Sequence, residues 1–449
     1  MPLLSALPAL MRKEDLLGLI ELEKSQAVQE GADLRYWLKE FDASAGAEKL
    51  TAAYQSLLSA PRHPDFPFRE PTTLDTIRAA RPGSSRQAAV KMTPEQLHDR
   101  IHGAWLGRVA GCVLGKPVEP WGQKVAIREY LQLAGAYPLQ EYFPRLDPLP
   151  DGFQFGVSAA GTFRGEIHGA PPDDDTDYTL LGLLLLEKFG LALTPAQVAF
   201  TWLDRLAYSR TWTAERATYR NLILGIPAEQ AAMVVNPERE YIGARIRADI
   251  FGLACPGMPE RAAGLAYQDA TLSHSKNGVY AAMFLAACLA WAFTTDELDS
   301  ILRAGLAEIP SGCRLTKSIQ DVIALHGREP DWEAAYEALL PEMAGMHPVH
   351  AINNTVWMVL ALLYGAGDFD RTLGIAVMCG FDTDCNGANV GTLLGLLHGA
   401  KNIPVKWTAP LEDTLYSSLA DWRETRISEL ARRTTRLADR FMNGENHAL

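Results

Sequence analysis

The 449-residue chain lacks most of what would tie it to nucleic acid, a membrane or an oxidising compartment. No lysine/arginine run interrupts it, and Asp and Glu outnumber Lys and Arg by 54 to 42, for a formal net charge of −12. A phosphate-backbone binder needs a basic footprint, so that class is excluded; a pocket for a nucleotide-like small molecule is not. The longest apolar run, Val279 to Phe293, falls short of the ~20 residues a membrane span requires. The opening MPLLSALPALMRKEDLL has no basic stretch ahead of its short apolar one and does not read as a signal peptide. Only six cysteines occur (Cys112, Cys255, Cys288, Cys313, Cys379 and Cys385), with no CxxC pair. Most lie in apolar surroundings, where a free thiol behaves as a small hydrophobe. A soluble protein of the reducing cytoplasm is the expectation. Alternating β-type stretches are scarce too, which argues against a sheet-based fold.

What the chain does have is helical periodicity. Three runs fill the region from Met11 to Ala60. The proline-rich PRHPDFPFREP and the later RPGSSRQ then read as a linker. A boundary near residue 92 divides an N-terminal helical extension and linker, 1–91, from a main domain, 92–449. Thr93 is placed to cap a helix whose first residue is Pro94. Helical runs of ordinary length follow, through to LEDTLYSSLADWRETRISELARRTTRLADRF, so the fold class is all-α. Between them the irregular stretch from Pro144 to Gly169 is long enough to expect a functional loop. The extension carries no chemistry of its own and is expected to pack on the main domain or mediate oligomer contacts.

Two helices carry a stripe of glycine at every fourth residue: Gly103, Gly107, Gly111 and Gly115 in one, Gly387, Gly391, Gly395 and Gly399 in the other. Each glycine costs a helix roughly 1 kcal/mol against alanine. Close approach of another backbone is the usual compensation, so these two helices are expected at the centre of the bundle.

Next to these helices lie the acids. Asp173-Asp174-Asp175-Thr176-Asp177 and Asp382-Thr383-Asp384 each open into an apolar run. Like charges this close repel, and desolvating them is costly unless a cation compensates. Oxygen-only donors suit magnesium, manganese or calcium. The expectation is that folding joins both clusters around one metal site.

Three segments, GAWLGRVAGCVLGKPVEPWG (103–122), PPDDDTDYTLLGLLLLE (171–187) and GFDTDCNGANVGTLLGLLHGA (380–400), resemble the signature segments of the ADP-ribosylglycohydrolase family. Those are a glycine-rich helix ending in P-x-E, a T-D-D-T cluster opening a helix, and a D-T-D-T cluster opening a second glycine-rich helix. The resemblance runs from about Met92 to about Trp422 and leaves the first 90 residues uncovered. It implies a compact multi-helix domain with a binuclear magnesium centre, manganese being the alternative ion. That centre holds the ribose hydroxyls while the bond at the anomeric carbon is hydrolysed. Carried onto this chain, the implied metal ligands are Glu119, Asp174, Asp175, Asp382 and Asp384. Glu119 is the candidate for deprotonating the attacking water, Asp384 the second, and Asp175 a third catalytic carboxylate. Thr176, Gly387, His274 and Asn277 are implied as substrate contacts, a helix cap or satisfied core residue being the equal alternative for His274 and Asn277.

Three positions depart from the family pattern. Asp173 stands where threonine is usual, Cys385 where threonine follows the second cluster, and Cys112 where the first glycine-rich helix usually has aspartate. Asp173 offers one more metal oxygen. A thiol is a poor ligand for a hard cation, so Cys385 binds only if the ion is manganese, iron or zinc. The function expected is hydrolysis of an N- or O-ribosyl bond in an ADP-ribosylated protein or small ADP-ribosyl compound. A small ribosylated metabolite or nucleoside-like substrate is the alternative within enzymology. A non-catalytic binding or structural protein on the same scaffold is the alternative outside it, opposed by retention of the acids.

Other polar clusters have bland readings. Asn236, Glu240, Arg247 and Asp249 read as buried ion pairs, His350, Asn353 and Asn354 as helix caps. Trp121, Phe163, Tyr208 and Trp212 could stack on an aromatic group, though aromatics in a helical domain are mostly core.

Overall fold

The structure is a computed structural model that describes residues 6, 10–83 and 87–445. Positions 84–86 of the expected linker and most of the first ten residues lie outside the described residues. The helices that bear on the site fall in two parts of the chain. In the N-terminal segment they are α1 (Lys13–Gln29), α2 (Ala47–Leu58) and α3 (Leu74–Ala80). In the main body they are α4 (Pro94–Gly115), α5 (Asp174–Phe189), α6 (Lys276–Trp291), α7 (Ala351–Gly365) and α8 (Thr383–His398). The all-α expectation holds. Among the described residues the only sheet is a hairpin of β1 (Thr414–Tyr416) and β2 (Glu424–Arg426).

The start of α4 follows its capping chemistry. The Thr93 side chain accepts from Gln96 N, Gln96 answers to Thr93 N, and Pro94 takes the first turn, where its missing N–H costs nothing. Helix α4 then runs through the core against α8, and the glycine stripes explain how. A Cβ built on Gly107 would lie 2.0 Å from Gly391 O, one on Gly111 1.9 Å from Gly387 O, and one on Gly395 1.9 Å from Gly103 O. No side chain fits at such distances, so the two backbones touch. Gly399 does not continue the stripe: it closes α8 at φ 72°, where a Cβ would meet Asp99.

Two expectations change. The run 411–441 is not one helix; its first half is the β1–β2 hairpin, and helix resumes at Ile427–Met442. The turn chemistry explains the break, since Glu412, Asp413 and Asp421 all take positive φ, which interrupts a helix. The hairpin docks beside the first acid cluster, with Ala170 N donating to Thr414 O at 2.9 Å and Tyr416 N to Ala170 O at 2.9 Å.

The second change concerns the stretch expected as a linker. It packs into the main body. Glu70, 7% exposed, pairs with Arg314 (Nε–Oε1 2.8 Å), which also meets Glu240 at 2.8 Å. Gln26 of α1 donates to Glu240 at 2.7 Å, and Arg239 reaches Glu23 and Glu30 at 2.8 Å each. Ile77 of α3 joins the main core, while α1 and α2 share a smaller core with Val234 and Val235. Removing residues 1–90 would therefore leave Arg239 without either of those carboxylate partners, and buried ions without partners are strongly destabilising.

If the backbone contact holds the bundle, Gly391→Ala should lower stability by about 3 kcal/mol or prevent folding. Gly264→Ala, in a helix where nothing stands within 4 Å of the added methyl, should be neutral or raise stability by up to about 1 kcal/mol. Thermal unfolding of the two variants checks this.

Candidate metal and catalytic site

Contact between α4 and α8 runs to the very start of α8. A Cβ on Gly115 would lie 2.3 Å from Asp384 N, and Thr383 Oγ1 donates to Gly115 O at 2.8 Å. Thr383 thus faces the glycine helix, leaving Asp382 and Asp384 on the other side. The chain leaving α4 is held by Phe381 N, which donates to Gly122 O at 3.2 Å; this sets Glu119 beside Asp382. The N-terminus of α5 closes the group. Asp173 caps that helix by accepting from Asp175 N at 2.9 Å.

The two acid clusters therefore converge, as expected. Glu119, Asp173, Asp174, Asp382 and Asp384 all line one cleft of about 710 Å³. Lys116, Asp177, Arg210, Trp212, Glu215 and His347 are among its other walls, and Val157 and Ser158 of the long irregular stretch form an edge. Asp175 is fully buried beneath the cleft floor. Its carbonyl accepts from Arg108 at 2.6 Å and its Oδ1 lies 3.3 Å from the same guanidinium.

Electrostatics in the cleft are dominated by unbalanced acid. Lys116 pairs with Asp173; burial would pull its ammonium down, yet the Asp173 charge holds it above the usual lysine range. Arg108 is shared between Asp175 and Asp249 (3.0 Å). Six carboxylates thus face Lys116, an Arg108 already divided between two of its partners, and the buried Arg245, which acts on Asp382. Loss of hydration, then the charges of Asp382 and Asp173, push Glu119 up to about 7, although it remains exposed to the cleft. Burial raises Asp175 to about 8 against the pull of Arg108. Asp174 and Asp384 are raised well above the carboxylate range by burial and by their acidic neighbours. Protons or cations must supply the missing positive charge. The donor set fits hard divalent ions: carboxylate oxygens from three segments, and a fully buried Asp175 Oδ2 with no hydrogen-bond partner.

The implied substrate contacts are placed elsewhere. Thr176 donates to Asp173 O at 3.1 Å and is buried, and Gly387 is pressed against Gly111. His274 sits behind the wall, its Nδ1 2.8 Å from Ser273 Oγ and 3.9 Å from Glu215. Asn277 donates to Glu70 and Glu240 at 2.8 Å each, as part of the network anchoring the N-terminal segment. None of the four lines the cleft. Trp121 packs in an aromatic cluster with Tyr130 and Phe155, and Phe163 is buried, whereas Trp212 is half exposed on the cleft wall.

Reading the sequence undervalued the residues that hold the acids. Asn354 is fully buried in the first turn of α7; its Oδ1 accepts from Asp382 N (3.2 Å) and Asn386 Nδ2 (2.8 Å), while its Nδ2 donates to Pro348 O (2.7 Å). Asn386 in turn accepts from Arg245 at 2.6 Å. Asp249, read as a structural ion, backs the Arg108–Asp175 pair. Asp177 faces the cleft and accepts Ser418 N at 3.1 Å on both oxygens. An arginine within a glycine-rich apolar helix was the available signal for Arg108.

The sequence model of the ADP-ribosylglycohydrolase family matches residues 93–445. The chain belongs to the ADP-ribosylglycohydrolase family. As a member of that family it is a hydrolase acting on ribosyl bonds. Among solved structures it resembles an ADP-ribosylglycohydrolase-related protein complex, at 22% identity and a TM-score of 0.50, covering 77% of this chain and 99% of that one. That likeness speaks for the fold alone. No curated protein matches. The family match begins one residue after the expected boundary at 92 and leaves the N-terminal segment outside it.

Two outcomes follow from the geometry. Asn354→Ala should weaken divalent-ion binding about 10-fold or more with helicity retained, read by calorimetry and circular dichroism. The second concerns pH. Between about pH 6.5 and 8.5 the unfolded chain has lost its carboxyl protons, while folded Asp175, near 8, and Glu119, near 7, still hold part of theirs. The folded state binds more protons, so stability without divalent ions should fall across this window. Saturating magnesium should flatten the slope, and thermal melts at both pH values measure it.

Proposed function

We propose that this family member hydrolyses an N- or O-ribosyl bond of an ADP-ribosyl substrate at a binuclear magnesium centre in the acidic cleft. The observation that carries the reading is the convergence of Glu119, Asp173, Asp174, Asp382 and Asp384 on one cleft, with Asp175 beneath it. The metal ligands would be Asp173, Asp174, Asp175, Asp382 and Asp384, with Glu119 at the edge of the set. Bound magnesium would supply positioning of the ribose 2- and 3-hydroxyls and Lewis-acid polarisation at the reacting centre.

The remaining work falls to side chains. Cleavage of a ribosyl bond passes through an oxocarbenium-like transition state. Asp384 on the cleft wall places negative charge beside the anomeric carbon as positive charge develops there, and Asp175 beneath the floor adds to the field from below. Glu119 takes the proton of the attacking water, a role suited to a carboxyl poised near neutral pH. Arg210 and Trp212 on the wall favour an ADP-ribosyl substrate over a bare nucleoside: a guanidinium suits a diphosphate, an indole face suits a base. We place the protein in the cytoplasm, in keeping with six free, buried thiols. Among the described residues no helix is long and apolar enough to cross a membrane.

A hydrolysis screen with magnesium or manganese, across ADP-ribosyl-arginine, ADP-ribosyl-serine and simple nucleosides, tests the reading. Turnover of an ADP-ribosyl compound that is lost with chelator is expected; turnover of nucleosides alone would move the substrate class. Asp382→Asn with Asp384→Asn should abolish ion binding and activity while helicity remains, and unchanged ion affinity in that double variant would remove the site as drawn. Trp212→Ala should raise KM for ADP-ribosyl substrates with little change in kcat.

A further inference from the structure

Two of the three departures from the family pattern, Cys112 and Cys385, lie on different helices and 273 positions apart in sequence. Folding brings both to one carboxylate. The Cys112 sulfur and one oxygen each from Asp173 and Asp175 lie within 4.8 Å of one another, and so do the Cys385 sulfur and one oxygen each from Asp175 and Asp384. The five donors come from three helix ends: Cys112 from α4, Asp173 and Asp175 from α5, Asp384 and Cys385 from α8. A separate observation points to a ligand at their centre. Asp175 Oδ2 is fully buried and finds no hydrogen-bond partner, a costly arrangement for a carboxylate unless something positive meets it.

We propose that Cys112 and Cys385 make the inner part of this centre a sulfur-containing site that takes zinc or iron(II) in preference to magnesium. The proposal rests on the metal reading above and concerns which ion the buried side of the site selects. Thiolate donors favour borderline cations, while an all-oxygen set favours hard ones. Burial and the surrounding carboxylates hold both thiols protonated in the absence of an ion; on binding, each thiol that ligates forms a sulfur–metal bond and releases its proton to solvent. Cys385 lines the cleft, which gives an ion its way in; Cys112 lies deeper, 1% exposed.

The test uses the full chain, stripped with chelator and reloaded with cobalt(II) as a spectroscopic stand-in for zinc. A thiolate-to-cobalt charge-transfer band in the near ultraviolet is expected, and it should vanish in Cys112→Ser/Cys385→Thr while manganese still binds. In competition titrations that variant should lose at least ~10-fold of the wild-type preference for zinc over magnesium. Cobalt bound with no charge-transfer band, or an unchanged zinc-to-magnesium ratio, overturns the proposal and leaves the oxygen-only reading standing. If no divalent ion binds the wild type at all, both readings fall. Should the double variant not fold, the wild-type cobalt spectrum together with Cys385→Thr alone, which restores a hydroxyl, decides the matter.

Discussion

Direct contact between the backbones of α4 and α8 is the constraint on which the rest depends. Four glycines on α4 and three on α8 remove the side chains that would hold the helices apart. In exchange for roughly 1 kcal/mol of helix propensity per glycine, the end of one helix and the start of the other are fixed against each other. The consequence at the site is positional. Gly115 lies against Thr383 and Asp384, so the chain carrying Lys116 and Glu119 emerges beside the second acid cluster. Any loosening of the contact would move carboxylates with respect to one another before it disturbed anything else.

The second feature is electrostatic. Aspartates from α5 and α8 and a glutamate from the turn after α4 meet where water is partly excluded, with Lys116, Arg108 and Arg245 as the nearby cations. Such a group resists folding on its own and has to be held together by something stronger. The glycine contact supplies the rigid frame, and backbone and amide hydrogen bonds supply the local grip: Asp175 N to Asp173, Asn354 to Asp382 N, and Ser418 N to Asp177. The excess negative charge held this way is what our proposed cation site rests on. Retaining it in a scaffold without a cation-dependent function would be hard to reconcile with stability.

The elements with strong local chemistry were legible in the sequence. Thr93-Pro94 announced α4, the glycine stripes announced the central pair, and acids at two helix starts announced the site. Residues whose role depends on distant partners were not. For His274 and Asn277 the sequence leaves pocket and cap or core readings open, because the partners that decide between them, Glu215, Glu70 and Glu240, are separated from them by up to 207 positions. Asn354 reads as a cap because nothing local says that Asp382 will arrive 28 residues later. The proline-rich stretch at 61–71 resembles a linker by composition, yet one glutamate in it, Glu70, ties it to the core. The hairpin was hidden because three-residue strands carry too little alternation to outweigh the helical pattern that follows them.

The central claim is that the converged acids hold divalent cations, and anomalous diffraction from crystals equilibrated with manganese tests it most directly. The account predicts anomalous peaks within about 2.2 Å of oxygens from Asp174, Asp382 and Asp384. A cleft without such peaks at saturating manganese, with the ion bound at some other part of the surface, would contradict it.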